Sequence, residues 1–174
     1  MPDLFVPQLF GRAFEKISMN YIHGIGLFLA PVFHILTLFL IAGIVLFGNK
    51  MRRIFSVYFC VNYVWIFCYA GIYMFVLFYR EIGVWSFAFW GAIPVLLLII
   101  VINLIREIID PKIDLDFRNI KIWRLVVLPV LVFGFWYPTF IWGKGFIFAP
   151  DDFLFSAYGL MPCPTTMVVL GLLS

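Results

Sequence analysis

The sequence predicts an all-α fold, a polytopic transmembrane helical bundle with four complete spans plus the start of a fifth. Residues 1–174 form one integral membrane domain. Three observations predict it. Hydrophobic residues make up 65% of the chain and charged residues only 12%, about half the charged share of an ordinary soluble domain. A water-soluble fold of this size would lack the polar surface to cover its core. The charges also cluster between long neutral runs, which is the pattern of repeated membrane crossing. In lipid the backbone must satisfy its own polar groups, and without barrel patterning only helices do so.

The elements follow in order. Residues 8–20 place Leu9, Phe10, Ala13, Phe14 and Ile17 at helical spacing, opposite Arg12, Glu15 and Lys16. That predicts an amphipathic helix lying in the interface. A secretory signal is excluded, because Asp3, Pro7 and these charges interrupt the segment. The first span is 25–47, a run without a charge that contains Pro31 and His34. The second, 54–79, is strongly aromatic; the third, 84–105, holds Pro94 and Asn103. The fourth, 125–142, contains Pro129 and Pro138. Each long run reaches across ~30 Å of hydrocarbon at ~1.5 Å per residue. Tyr and Trp residues near the run ends fit an interfacial belt. The last run, 165–174, is too short to span. It reads as the start of a fifth helix in a chain that continues, since a natural end inside lipid would leave carbonyls unsatisfied.

Connections carry the charge. The loop after the third span alternates near Ile113-Asp114-Leu115-Asp116-Phe117, and without a partner strand it reads as a surface-hugging loop. Eight Lys and Arg residues fall on the side of the first and third loops and four on the other. The positive-inside rule then sets those loops in the cytoplasm and the N-terminus outside. The net charge of +3 is loop bias; no basic stripe with interleaved aromatics is present, so no nucleic-acid partner is expected. The expected partners are the lipid bilayer, with other membrane subunits or a homo-oligomer besides.

The run Gly159-Leu160-Met161-Pro162-Cys163-Pro164-Thr165-Thr166 is the most unusual stretch. Proline disfavours helix for the residue before it, so Met161 and Cys163 are expected extended. Pro164 suits a first helical position, and the threonines suit the free groups of a first turn. The plain reading is a rigid entry into a helix at the outer surface, with Cys163 filling a small hole. The sharper one uses the soft donors Cys163 and Met161 as candidate ligands for copper(I) or zinc beside a helix N-terminus that favours thiolate. A stable site needs three or four donors. Cys60 and Cys68 lie eight apart, ~12 Å along one helix. They read as packing residues, and no disulfide or zinc spacing exists.

His34 and Asn62 are the candidate polar lining. His34 is an ionisable group inside a span, a functional hypothesis in its own right. Its plain reading is a neutral imidazole bonded to a neighbouring helix; its alternative is a proton relay or a ligand contact. Asn62 reads as glue between helices. His23 lies near the interface. No triad, phosphate loop, HExxH or dinucleotide fingerprint is present; no cofactor is indicated, and an enzyme is the less favoured class.

On the Gly159–Thr166 stretch the chain resembles an uncharacterised prokaryotic multi-spanning membrane family, domain of unknown function 6064. Members read Gly-Leu-Pro-Cys-Pro-Thr-Thr before a Leu-rich helix; here Met161 stands between Leu and Pro. Asn20-Tyr21, the aromatic second span and Tyr137-Pro138 agree in order. The likeness covers nearly the whole chain, but only the Cys-Pro-Thr-Thr part is specific. It implies a prokaryotic cytoplasmic membrane and a helix beyond the motif. It implies no reaction. The expected function is that of a small-solute or ion (soft metal) permease or its accessory, because broken helices at membrane depth often line a substrate route. The competing expectation is a scaffold subunit of a larger membrane complex. A membrane thiol enzyme ranks last, with no base or second thiol placed to help.

Overall fold

A computed structural model describes residues 24, 27–115, 128–137, 139–141, 145–147, 153, 156, 158–160 and 162–173. Among them helix dominates. Helix α1 is Leu27–Phe47, and a 3-10 turn Gly48–Met51 leads into α2, Arg52–Ile66. A π-helical turn, Phe67–Tyr73, continues into α3, Met74–Ile82; α4 is Trp85–Trp90 and α5 is Ala92–Ile109. Helix α6, Leu128–Phe135, precedes strands β1, Thr139–Ile141, and β2, Gly145–Ile147, and α7 is Pro162–Leu173. The two strands pair antiparallel, Phe140 opposite Phe146.

Among the described residues two helical runs are long and apolar enough to cross a membrane, Phe28–Ile82 and Ala92–Ile109. The first is unbroken as helix but does not run straight. Gly48 has φ +54°, a conformation that reverses the chain without the Cβ penalty other residues meet. Across that turn Tyr58 bonds to the Phe33 carbonyl and to Thr37, while Met51 lies against Gly43. These pairs run in opposite senses, so α1 and α2 form an antiparallel hairpin. Asn49 ties its tip: Oδ1 accepts from Arg52 Nε at 2.9 Å and from the Leu115 backbone N–H at 2.7 Å.

Helix α1 is apolar on its outward face as well as its inward one, unlike a surface helix of a water-soluble domain. Ala30, His34, Thr37, Leu40 and Ile44 are buried on one stripe, while Phe28, Val32, Leu36, Phe39 and Val45 are exposed on the other. Helix α5 likewise buries Leu97, Val101 and Leu104 and exposes Leu96, Ile99, Ile102 and Ile105. Only 28% and 17% of the most apolar windows in the two runs are buried. The core helix of a soluble domain would be mostly covered, and an apolar surface this continuous requires something other than water around it.

The second hairpin packs α5 against α2 and the π-helical turn, and α4 against α3. Gly71 lies against Leu97 and Pro94, Phe78 stacks on Trp90 at 5.1 Å, and Trp90 Nε1 donates to the Ala70 carbonyl at 2.8 Å. That carbonyl belongs to the π-helical turn, where backbone groups drop out of the regular ladder. Beyond α5, residues 110–115 adopt no strand. Glu107 Oε1 accepts from the backbone N–H groups of Lys112 and Ile113, and Leu115 is buried.

Differences from the expected spans have physical reasons. The second helical stretch reaches Ile82 instead of residue 79, ending at Gly83, φ +60°. The span expected over 125–142 is helical only as Leu128–Phe135 among the described residues, and 139–141 is strand. Pro138 cannot continue the α6 ladder, and Thr139-Phe140-Ile141 is rich in strand-forming residues. The last helix begins at Pro162, so Cys163 is helical and not extended. Pro162 and Pro164 both stand in the first turn, where a missing N–H costs nothing, and this outweighs the preference of the residue before proline. The expected N-terminal helix 8–20, His23 and Met161 lie outside the described residues.

Candidate functional site: a buried polar cluster

Among the described residues, the buried polar side chains His34, Thr37, Asn62, Ser156 and Thr165 gather in one place, while Ser56 bonds back to its own helix and Ser86 lies at the start of α4. Thr37 stands ten residues before Phe47, and Asn62 ten after Arg52, so both lie ~15 Å above the α1–α2 turn. At this level α6 ends and α7 begins. His34 reaches the carbonyl of Phe135, the last residue of α6. Residues 158–160 pass close by on the way into α7.

Gly159 makes that passage possible. Its φ is +75°, and a Cβ on it would lie 2.6 Å from Phe33 Cβ and Cγ. Its N–H donates to Thr165 Oγ1 at 2.9 Å, and its carbonyl accepts from Asn62 Nδ2 at 3.2 Å. Asn62 therefore joins α2 to this turn instead of to another helix. That bond also orients the amide, since a carbonyl needs the NH₂ side. Asn62 Oδ1 is then buried without a partner among the described residues. Thr166, expected to cap its own helix, instead meets the Tyr63 hydroxyl at 2.9 Å.

Three hydroxyls form the centre of the cluster. Thr37 Oγ1 lies 2.6 Å from both Tyr58 and Tyr158 hydroxyls and 2.8 Å from the Phe33 carbonyl; Tyr58 reaches the same carbonyl at 3.0 Å. Four contacts share three hydroxyl protons, and a carbonyl supplies none. With Tyr158 donating to Thr37, three proton arrangements remain. Thr37 donates to Phe33 while Tyr58 donates to Thr37, or Thr37 donates to Tyr58 while Tyr58 donates to Phe33, or both hydroxyls donate to the two lone pairs of the Phe33 carbonyl. Thr37→Val removes the acceptor for the Tyr158 hydroxyl with little change of shape. It is expected to cost about 1–2 kcal/mol, and adding Tyr158→Phe should recover more than half of that, read as a double-mutant cycle in detergent unfolding.

His34 is fully buried. Nδ1 lies 2.7 Å from the Ala30 carbonyl, and Nε2 lies 3.0 Å from the Phe135 carbonyl and 3.1 Å from Ser156 Oγ. Ser156 donates to the same Phe135 carbonyl at 2.9 Å. Phe135 and Tyr158 meet the imidazole edge-on at 4.7 and 5.1 Å. Among the sequence-predicted residues, then, His34 and Asn62 belong to this cluster, bonded to Ser156 and to the Gly159 carbonyl. Thr37, Tyr58, Ser156 and Tyr158 belong to it too and are missed by the sequence reading. The available signal was Thr37, one turn from His34 on the same stripe.

Cys163 is elsewhere. It is exposed and lines an apolar pocket of about 430 Å³ with Ile93, Leu97, Ile100, Pro162 and Met167. It shares no bonding partner with His34. Among the described residues no group of three or more His, Cys, Asp or Glu side chains could hold a metal ion. Cys60 and Cys68 are free thiols, and Asn103 is exposed and bonds its own helix at Ile99.

No family model, curated protein or solved structure matches this chain.

Proposed function

We propose that this chain is an integral membrane protein of the permease class, passing a small solute or ion through the cluster of His34, Thr37, Tyr58, Asn62, Ser156 and Tyr158. The observation that carries this reading is the position of the cluster. It lies ~15 Å from the α1–α2 turn, half the hydrocarbon thickness, inside an apolar surface, where two helices are interrupted. In this reading α1, α2–α3 and α4–α5 cross the bilayer. A fourth crossing enters through α6, and α7 begins the fifth. Broken helices at mid-depth expose backbone polar groups that lipid cannot satisfy, and such breaks are tolerated where they face protein or a polar pathway. Asn62 Oδ1, buried with no partner among the described residues, supplies an acceptor for a donor group of a passing solute. The lysine and arginine bias supports cytoplasmic first and third loops, with the N-terminus outside. Kinship with the domain of unknown function 6064 family, and with it a prokaryotic cytoplasmic membrane, belongs to the same proposal. The soft-metal variant would rest on Cys163, which lines an apolar pocket, and on Met161.

The test is osmotic reswelling of proteoliposomes in a panel of small neutral solutes and monovalent salts. The expected result is reswelling several-fold faster than protein-free vesicles for at least one solute, slowed by Asn62→Leu and unchanged by Cys163→Ser. Reswelling no faster than that of protein-free vesicles across the panel, together with a stoichiometric partner on gentle extraction, would establish the scaffold role instead.

A further inference from the structure

We propose that His34 is a proton-binding site, its proton held as an imidazolium between the carbonyls of Ala30 and Phe135; for its setting this rests on the membrane reading above. Each ring nitrogen faces a carbonyl oxygen at hydrogen-bond distance, Nδ1 at 2.7 Å and Nε2 at 3.0 Å. A carbonyl accepts and never donates, and a neutral imidazole carries one N–H. Either neutral tautomer therefore sets a nitrogen lone pair against an oxygen lone pair. The imidazolium, with two N–H groups, satisfies both.

Ser156 obeys the same count. With the ring protonated, Ser156 donates to the Phe135 carbonyl at 2.9 Å and offers its own oxygen to Nε2 at 3.1 Å. Every donor then has an acceptor. With the ring neutral and Nδ1 protonated, Ser156 is the hydroxyl in reach of Nε2. Turning its proton there deprives the Phe135 carbonyl of both donors. Proton occupancy thus decides whether the end of α6 is held to α1 and to the segment carrying Ser156 and Tyr158.

Burying a cation is costly, and two features of the site work against that cost. Phe135 ends α6, so its carbonyl belongs to the negative end of a helix dipole, where a histidine cation is favoured. Two charge-assisted hydrogen bonds to carbonyls replace the lost water. Among the described residues, the groups around the ring can be named. From α6 comes Phe135; from the segment preceding α7 come Phe153, Ser156 and the titratable Tyr158. From α1 itself comes Ala30, and from α2 the titratable Tyr58, one step removed through Thr37. None of these is a carboxylate or a base of comparable strength.

The chain holds two histidines, which makes the ring directly observable. Uniformly ¹⁵N-histidine-labelled protein in lipid nanodiscs is recorded from about pH 5 to about pH 8.5, bracketing the ordinary histidine value of ~6.5. His23→Gln identifies the His34 signals, and the unmodified chain serves equally if both rings resolve. The expected result is a pair of protonated ring nitrogens for His34 in part or all of that range. Any transition should lead to the neutral ring with Nδ1 protonated. A neutral His34 ring throughout would overturn the proposal, even if the vesicles still pass solute. An imidazolium signal in a protein that passes nothing would uphold the proton site and remove the permease reading.

Discussion

Gly159→Ala is expected to be the most damaging single methyl group that can be added to this chain. Gly159 has φ +75°, and the new Cβ would stand 2.6–2.7 Å from three atoms of the Phe33 side chain. Left-handed backbone costs an alanine roughly 1–2 kcal/mol, and overpacking a filled site adds roughly 1–3 kcal/mol. Neither contribution has an easy outlet. Phe33 cannot move freely, because its carbonyl receives Thr37 and Tyr58. Gly159 cannot shift without breaking its bonds to Asn62 and Thr165. Thermal unfolding in detergent should show a loss of about 2–5 kcal/mol, and Phe33→Ala on the same background should return only the steric share. A Gly159→Ala protein as stable as the unmodified chain would mean that residues 158–160 do not run against α1.

That segment also marks where sequence reasoning reaches its limit. Helices α1 to α5 were legible because hydropathy is a local property. A run of apolar residues between charges fixes a helix whether or not its neighbours are known. His34 and Asn62 were legible for the converse reason, as polar residues in apolar company. The depth of Gly159–Thr166 was not. Prolines at 162 and 164 announce a helix start, and the plain reading of a helix start is a surface feature. Here it lies beside Thr37 and Asn62, the level reached ten residues into each hairpin arm. Nothing local distinguishes a start at the surface from one inside, since the flanking Leu160 and Tyr158 suit either. The partners of His34 leave still less trace. Two are backbone carbonyls, which every residue type supplies, and the third is a serine 122 positions away. Tyr58 and Tyr158 pass unnoticed in a chain in which 21% of residues are aromatic. The setting of Cys163 was equally hidden: the thiol is carried on a helical turn beside apolar α5 residues, and Met161 lies outside the described residues.

Gly134→Ala carries the second large expectation, and it joins packing to the polar cluster. Helices α6 and α7 approach so closely that a Cβ at Gly134 would meet Met167 Cβ at 2.6 Å, the Pro164 carbonyl at 2.8 Å and the Val168 nitrogen at 3.2 Å. Two of these are backbone atoms, so a rotamer change cannot relieve the contact, and the helices must part. The cost is expected at about 3 kcal/mol, the upper end for overpacking. The consequence does not stop at stability. Phe135, the next residue, holds its carbonyl toward both His34 and Ser156, and moving α6 away from α7 displaces that oxygen. The variant should therefore weaken the grip on the His34 proton, shifting any ring transition seen in the ¹⁵N spectra to lower pH. A substitution of similar volume on the outward side of the same helix, Val132→Leu, should leave it in place, because Val132 is exposed. If Gly134→Ala destabilised the protein while His34 kept its unmodified spectrum at every pH, the Phe135 carbonyl would not be what holds Nε2.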